Sequence, residues 1–119
     1  MYQSRFKKQI DIKDRKKMFS VFKHKYPDKI PLIIESANDN YTENINLKIG
    51  MKPNLRVCQL LYTIRKEAKL SERESYYIYA NKKIVPNNRF IKNIYKEFKD
   101  DDGFLYLGVM KLQTFGGLE

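Results

Sequence analysis

Apolar residues along this chain switch repeatedly between a helical and a strand period, and the order of those switches leaves few folds open. Over residues 14–25, Met18, Val21 and Phe22, followed by Tyr26, recur at helical spacing with lysine and arginine opposite. This predicts a basic amphipathic helix, preceded by a shorter helical turn over residues 4–10. Tyr26-Pro27-Asp28 breaks the pattern, and Ile30-Pro31-Leu32-Ile33-Ile34 follows as a β-rich run whose proline suits an edge strand or one entered late. Residues 36–46 are rich in turn formers and read as loop, before a short strand over 46–51. After Pro53, the positions Val57, Leu60, Leu61, Ile64 and Ala68 mark one face of a helix. Residues 76–80 read as a strand ended by Asn81-Lys82-Lys83, and Phe90, Ile91, Ile94, Tyr95 and Phe98 as another helix. Residues 104–112 read as a strong strand after the turn Asp100-Asp101-Asp102-Gly103.

The order helix, helix, β, β, α, β, α, β predicts an α+β chain. Two strands, a crossing helix and further strands are the elements of a ubiquitin-like β-grasp, here with a four-stranded mixed sheet and two N-terminal helices. The expected division is a helical extension over 1–25, a β-grasp core over 26–112 and a tail over 113–119. A chain of 119 residues has room for one core,. Its 24 Lys and Arg against 14 Asp and Glu give +10, which favours acidic partners or surfaces. Residues 1–29 hold ten basic and three acidic side chains, so +7 of the +10 lies there. One cysteine, Cys58, excludes an internal disulfide and fits a reducing compartment,. No apolar run is long enough to span a membrane, and the polar start lacks the apolar stretch of a secretion signal. A cytoplasmic protein is expected, with any membrane association acquired.

Tyr26-Pro27-Asp28-Lys29-Ile30-Pro31-Leu32-Ile33-Ile34-Glu35 resembles the signature of the autophagy ubiquitin-like modifiers, the GABARAP and microtubule-associated light chain family. Ile64-Arg65-Lys66, Phe104-Leu105-Tyr106 and Thr114-Phe115-Gly116 match in register, so the resemblance runs from about residue 12 to residue 116. It implies that a cysteine protease cuts after Gly116, with Phe115 as the apolar anchor of the tail. Ubiquitin-like activating and conjugating enzymes would then join Gly116 to phosphatidylethanolamine, with no other cofactor and no metal. A glycine carboxylate suits such a passage because it lacks a Cβ. Two acyl chains, at about 0.8 kcal/mol per buried methylene, hold a domain on a bilayer where one would be marginal. The expected location is therefore cytoplasm and, once lipidated, the autophagosome membrane. Cleavage after Gly117, by analogy with the paired glycines of ubiquitin, stays open, as does a Leu118-Glu119 that is a cloning remnant.

The resemblance also implies that cargo receptors and adaptors carrying an aromatic-x-x-aliphatic motif add to the second strand as an extra strand. One pocket would use Met18, Phe22, Pro31 and Phe104, with Lys48 beside it. The other would use Leu55, Leu60 and Ile64, with Lys29 at its rim, and Met51 is a further peptide-binding candidate. Departures bear on specificity. Lys48-Ile49-Gly50-Met51-Lys52-Pro53 lacks the family's aromatic residue, Met18 stands for a glutamate, Thr63 for an apolar residue, and Glu67 for an arginine.

Other readings fare less well. His24 lies among lysines on the polar side of its helix, and Cys58 reads as a buried or half-buried helix thiol, so a Cys–His dyad is not expected. The three aspartates lack the spacing of a calcium loop. The basic N-terminal helices fit either anionic headgroups and acidic motif flanks or a plain solvated face. The runner-up functions are a ubiquitin-like protein-binding domain that is never conjugated, and a basic RNA-binding sheet built on Tyr76-Tyr77-Ile78-Tyr79. Asp102-Gly103-Phe104-Leu105-Tyr106 fails the RNA-recognition signature at two positions, and no nucleic-acid partner is expected.

Overall fold

Ser4 and Asp11 start the first two helices because each side-chain oxygen accepts a backbone N–H in the first turn, from Lys7 at 3.2 Å and from Asp14 at 3.0 Å,. The computed structural model of the protein describes residues 4–37 and 45–111. Helices α1 (Arg5–Gln9) and α2 (Ile12–Lys25) are followed by strands β1 (Ile30–Ser36) and β2 (Asn46–Met51). Then come α3 (Val57–Glu67), β3 (Tyr76–Ala80), β4 (Lys83–Val85), α4 (Ile91–Phe98) and β5 (Leu105–Lys111). The sheet order is β2-β1-β5-β3-β4. β1 and β5 run parallel, and all other neighbours are antiparallel. This is the expected mixed β-grasp with two N-terminal helices.

Two expectations need correction. The sheet has five strands, because Lys83 does not end the turn after β3 but opens β4, pairing with Ala80. Asn81 makes the reversal possible by taking φ 56°, a left-handed conformation that asparagine tolerates better than most residues. Ser36 belongs to β1 rather than to the following loop; it exchanges hydrogen bonds with Ile45 at 3.0 and 3.1 Å, closing the hairpin. Of the two situations that suit Pro31, an edge strand or one entered late, the structure shows the second. The strand lies between β2 and β5, and its pairing with β5 begins only at Leu32, past the proline.

Both faces of the sheet are covered, so every residue of β1 is buried,. On one face Val57, Leu60 and Ile64 of α3 and Ile91 and Ile94 of α4 close over Leu32, Ile34, Leu105 and Leu107, all with 0 or 1% exposure. Each such side chain contributes about 1.5–3 kcal/mol by leaving water. On the other face α1 and α2 enclose a smaller cluster of Phe6, Ile33, Phe104 and Tyr106, with Ile10, Met18 and Phe19 packed around it. This second face carries the candidate site.

Candidate functional site

Strand β2 is one edge of the sheet, and its residues alternate between the two faces. Leu47, Ile49 and Met51 pack with the α3 and α4 core. Asn46, Lys48 and Gly50 therefore point toward α1 and α2, opposite Glu35, Ile33 and Pro31 of β1. The Lys48 ammonium sits 5.0 Å from the centre of the Phe6 ring. Beside it a cavity of about 340 Å³ opens between α1 and the strands, lined by Arg5, Phe6, Ile10, Glu35, Asn46 and Lys48. Buried Glu35 accepts the Phe6 backbone N–H at 2.9 Å, which ties α1 to β1. Among the described residues no strand pairs with the outer side of β2, and such an edge, beside a largely polar cavity floored by Phe6 and Ile10, can accept an extended peptide as a further strand.

The predicted peptide residues divide unevenly. Met18, Phe22, Pro31, Lys48 and Phe104 all fall on the α2 side, but Phe104 is inside the aromatic cluster, edge-on to Phe6 and to Phe19 at 5.9 Å each. It supports the Phe6 ring that lines the cavity and does not line it itself. In the second group Leu60 and Ile64 have no exposure and Met51 has 6%. These three are core, because β2 turns Met51 inward and α3 faces the sheet; half-buried Leu55 alone is reachable. Lys29 belongs with the first group. Its stem approaches Gly50, and its ammonium lies 5.4 Å from the Tyr26 ring.

What holds α2 over the strand is a charged network that the sequence reading missed. Arg15, 8% exposed, donates to Asp102 Oδ2 at 2.8 Å, and the Tyr106 hydroxyl donates to the same oxygen at 2.5 Å. The second Asp102 oxygen accepts the Phe104 N–H at 2.8 Å. Burial, and then the hydrogen bond to the Asp102 carboxylate, push the Tyr106 hydroxyl well above its ordinary pKa,. It stays a neutral donor. Lys7 of α1 reaches Asp100 at 2.5 Å. The three aspartates thus form the expected turn, and two of them also receive the N-terminal helices. Gly103 completes the anchor at φ 99°, where a Cβ would meet the Phe19 ring at 2.6 Å. A single arginine among Lys13, Lys16 and Lys17 carried no signal that it would be buried.

The remaining predicted residues are placed as follows. Cys58 is exposed, contrary to expectation, because it faces away from the sheet at the start of α3 while Val57 turns inward. His24 is exposed, as is Glu67 at the end of α3. Half-buried Thr63 donates to the Gln59 carbonyl within the helix at 3.1 Å. Arg65 is committed to structure: it donates to the Ser71 and Glu74 carbonyls at 3.0 and 2.9 Å and lies 5.1 Å from the Tyr76 ring. Tyr76 itself is buried. Phe115, Gly116 and Gly117 lie outside the described residues. Among those described, no group of acidic, histidine or cysteine side chains could hold a metal ion, and no helix is long and apolar enough to cross a membrane.

Residues 14–116 match the family described as autophagy protein Atg8, ubiquitin-like. The chain is 37% identical over 112 residues to autophagy-related protein 8e of Arabidopsis thaliana, covering 93% of this chain and 92% of that one. It is 36% identical over 117 residues to autophagy-related protein 8 of Colletotrichum lindemuthianum, covering 98% and 97%. The crystal structure of Trypanosoma brucei ATG8 superposes with a TM-score of 0.85 at 27% identity, covering 96% of this chain and 99% of that one. Plasmodium falciparum Atg8, in complex with a Plasmodium falciparum Atg3 peptide, shares the fold at a TM-score of 0.78 and 21% identity, covering 92% and 100%.

Proposed function

The chain belongs to the Atg8 family and is a ubiquitin-like modifier of autophagy, and we propose that it works through its tail and its β2 edge together. The tail is cut after Gly116 by a cysteine protease, with Phe115 setting the register. Ubiquitin-like activating and conjugating enzymes then carry Gly116 to the amine of phosphatidylethanolamine. The match extends to residue 116, which favours that glycine over Gly117 as the residue whose carboxyl is transferred to the lipid amine. Attachment moves the protein from the cytoplasm to autophagosomal membranes, where the two acyl chains supply the anchor.

Once anchored, β2 receives extended segments of cargo receptors and adaptors. The observation that carries this part is the edge of β2, unpaired among the described residues, with Lys48 and Gly50 on the side of α1 and α2 and Leu55 on the opposite side. A conjugating-enzyme peptide is a natural occupant of the same kind, as the Plasmodium relative is seen with an Atg3 peptide. Exposed Lys13, Lys16, Lys17 and Lys25 on α2 would favour acidic flanks on such peptides.

The test is intact mass after incubation with phosphatidylethanolamine liposomes and lysate of the source organism. The wild-type chain is expected to lose Gly117-Leu118-Glu119 and then gain the mass of one phospholipid, while Gly116→Ala does neither. Unmodified wild type in a lysate that conjugates a positive control would instead favour a ubiquitin-like domain that binds without being conjugated.

A further inference from the structure

Gly50 stands opposite Pro31 on the side of β2 that faces α2. A Cβ on Gly50 would lie 2.6 Å from Phe22 Cζ, 3.1 Å from Phe22 Cε2 and 3.3 Å from Lys29 Cδ. The first distance is shorter than carbon atoms tolerate, so the Phe22 ring rests on the strand backbone, in space that any other residue at position 50 would claim. The ring is held there. Tyr26 packs against it with ring centres 5.3 Å apart, and the Lys25 and Lys29 ammonium groups lie 5.5 and 5.4 Å from the Tyr26 ring. Lys23 fixes the turn beneath by donating to the Pro27 and Lys29 carbonyls at 3.0 and 3.1 Å.

We propose that Phe22, seated on Gly50, is the specificity-determining residue for the side chain that a docked strand places beside Gly50, limiting it to a single ring or a branched aliphatic group and excluding an indole. This rests on the reading of β2 as a peptide-docking edge. A strand added to that edge places a side chain about 4.5–5.5 Å from its cross-strand neighbour and on the same face. The side chain beside Gly50 therefore enters the space next to the Phe22 ring. Phe22 packs against Tyr26, which Lys29 in turn covers, so it cannot turn aside without releasing that contact, and the bulk of the incoming group decides the fit.

The test uses two short synthetic peptides with acidic flanks that differ only in Phe or Trp at the aromatic position, with Leu three residues on. Binding to the full chain is measured by calorimetry for wild type, Phe22→Leu, Phe22→Ala, Gly50→Ala and the double variant Phe22→Ala/Gly50→Ala, each first checked by thermal melting. Wild type is expected to prefer the Phe peptide by about tenfold or more, the scale of discrimination when a pocket lacks room for extra atoms. Phe22→Ala should abolish or reverse that preference and Phe22→Leu should reduce it. Gly50→Ala drives the ring off the strand into the path of the docked side chain and should weaken both peptides, and removing the ring in the double variant should restore them. If wild type binds both peptides equally and the Phe22 variants leave the ratio unchanged, the specificity role is wrong while peptide docking stands. If no variant binds either peptide, the docking reading itself fails and the role of Phe22 falls with it.

Discussion

Beneath α3 and α4 the sheet is closed by fully buried aliphatic side chains such as Leu60, Ile64, Ile91 and Ile94. Beneath α1 and α2 it is closed by aromatic rings, two of them resting on glycines, and by the network of Arg15, Asp102 and Tyr106. Aliphatic packing is non-directional and tolerates volume-conserving exchange. The aromatic and charged face depends on specific partners, since a buried charge that loses its partner is left uncompensated. The side that forms the cavity is therefore the side whose geometry is fixed by directional contacts. The α3 and α4 side supplies stability, and the α1 and α2 side sets the shape that a partner meets.

The largest break in this contrast should come from the aliphatic side. Ile64→Ala is expected to cost about 2–5 kcal/mol, read as a lower urea midpoint with a single cooperative transition. Asp102→Ala should cost less, about 1–3 kcal/mol, because α1 and α2 can lift away and let Arg15 reach water. Its signature is locality. Amide exchange should accelerate across α1 and α2 while β1 and β5 stay protected; a uniform loss of protection would show that the two faces fold as one unit. Gly103→Ala comes next at about 1–2 kcal/mol, the cost of a left-handed residue bearing a Cβ, with the Phe19 ring also displaced. Its effect should again concentrate in α2.

The same contrast explains what could be read from the chain. The strand over 46–51, the strand over 76–80 and the α3 face with Leu60 and Ile64 were legible because period and burial coincide there. The β4 strand was hidden because it has three residues, of which Val85 alone is buried. Leu60, Ile64 and Met51 are core residues at positions expected to line a pocket, since spacing tells which face of an element is apolar but not whether that face is covered. The pairing of Arg15 with Asp102 joins residues 87 positions apart, and neither has a local pattern that marks it. The fit of Phe22 to Gly50 was equally silent: a glycine in a strand predicts a close approach of something, without saying what.

The smallest effect tests the exposed end of the same network. Burial alone would raise the Asp100 carboxyl, but the Lys7 hydrogen bond, the Asp102 backbone N–H and the charges of Lys7 and Arg15 outweigh it, so its pKa falls below the ordinary 3.8. The folded protein then holds this proton less readily than the unfolded chain. The resulting stabilisation is complete above about pH 4 and is lost as pH falls through the lowered folded value. With Lys7 41% exposed, solvent screens the pair and its contribution should stay under about 1 kcal/mol. Comparing urea midpoints at pH 5.5 and pH 3 for wild type and Lys7→Met isolates it, because the other carboxylates titrate alike in both proteins. Wild type should lose more stability on acidification than Lys7→Met, with faster amide exchange in α1. Equal losses would mean that Lys7 and Asp100 are neighbours without coupling, and that the N-terminal helices are fastened to the sheet by the Arg15–Asp102 pair, the Glu35–Phe6 hydrogen bond and the aromatic cluster without help from Lys7.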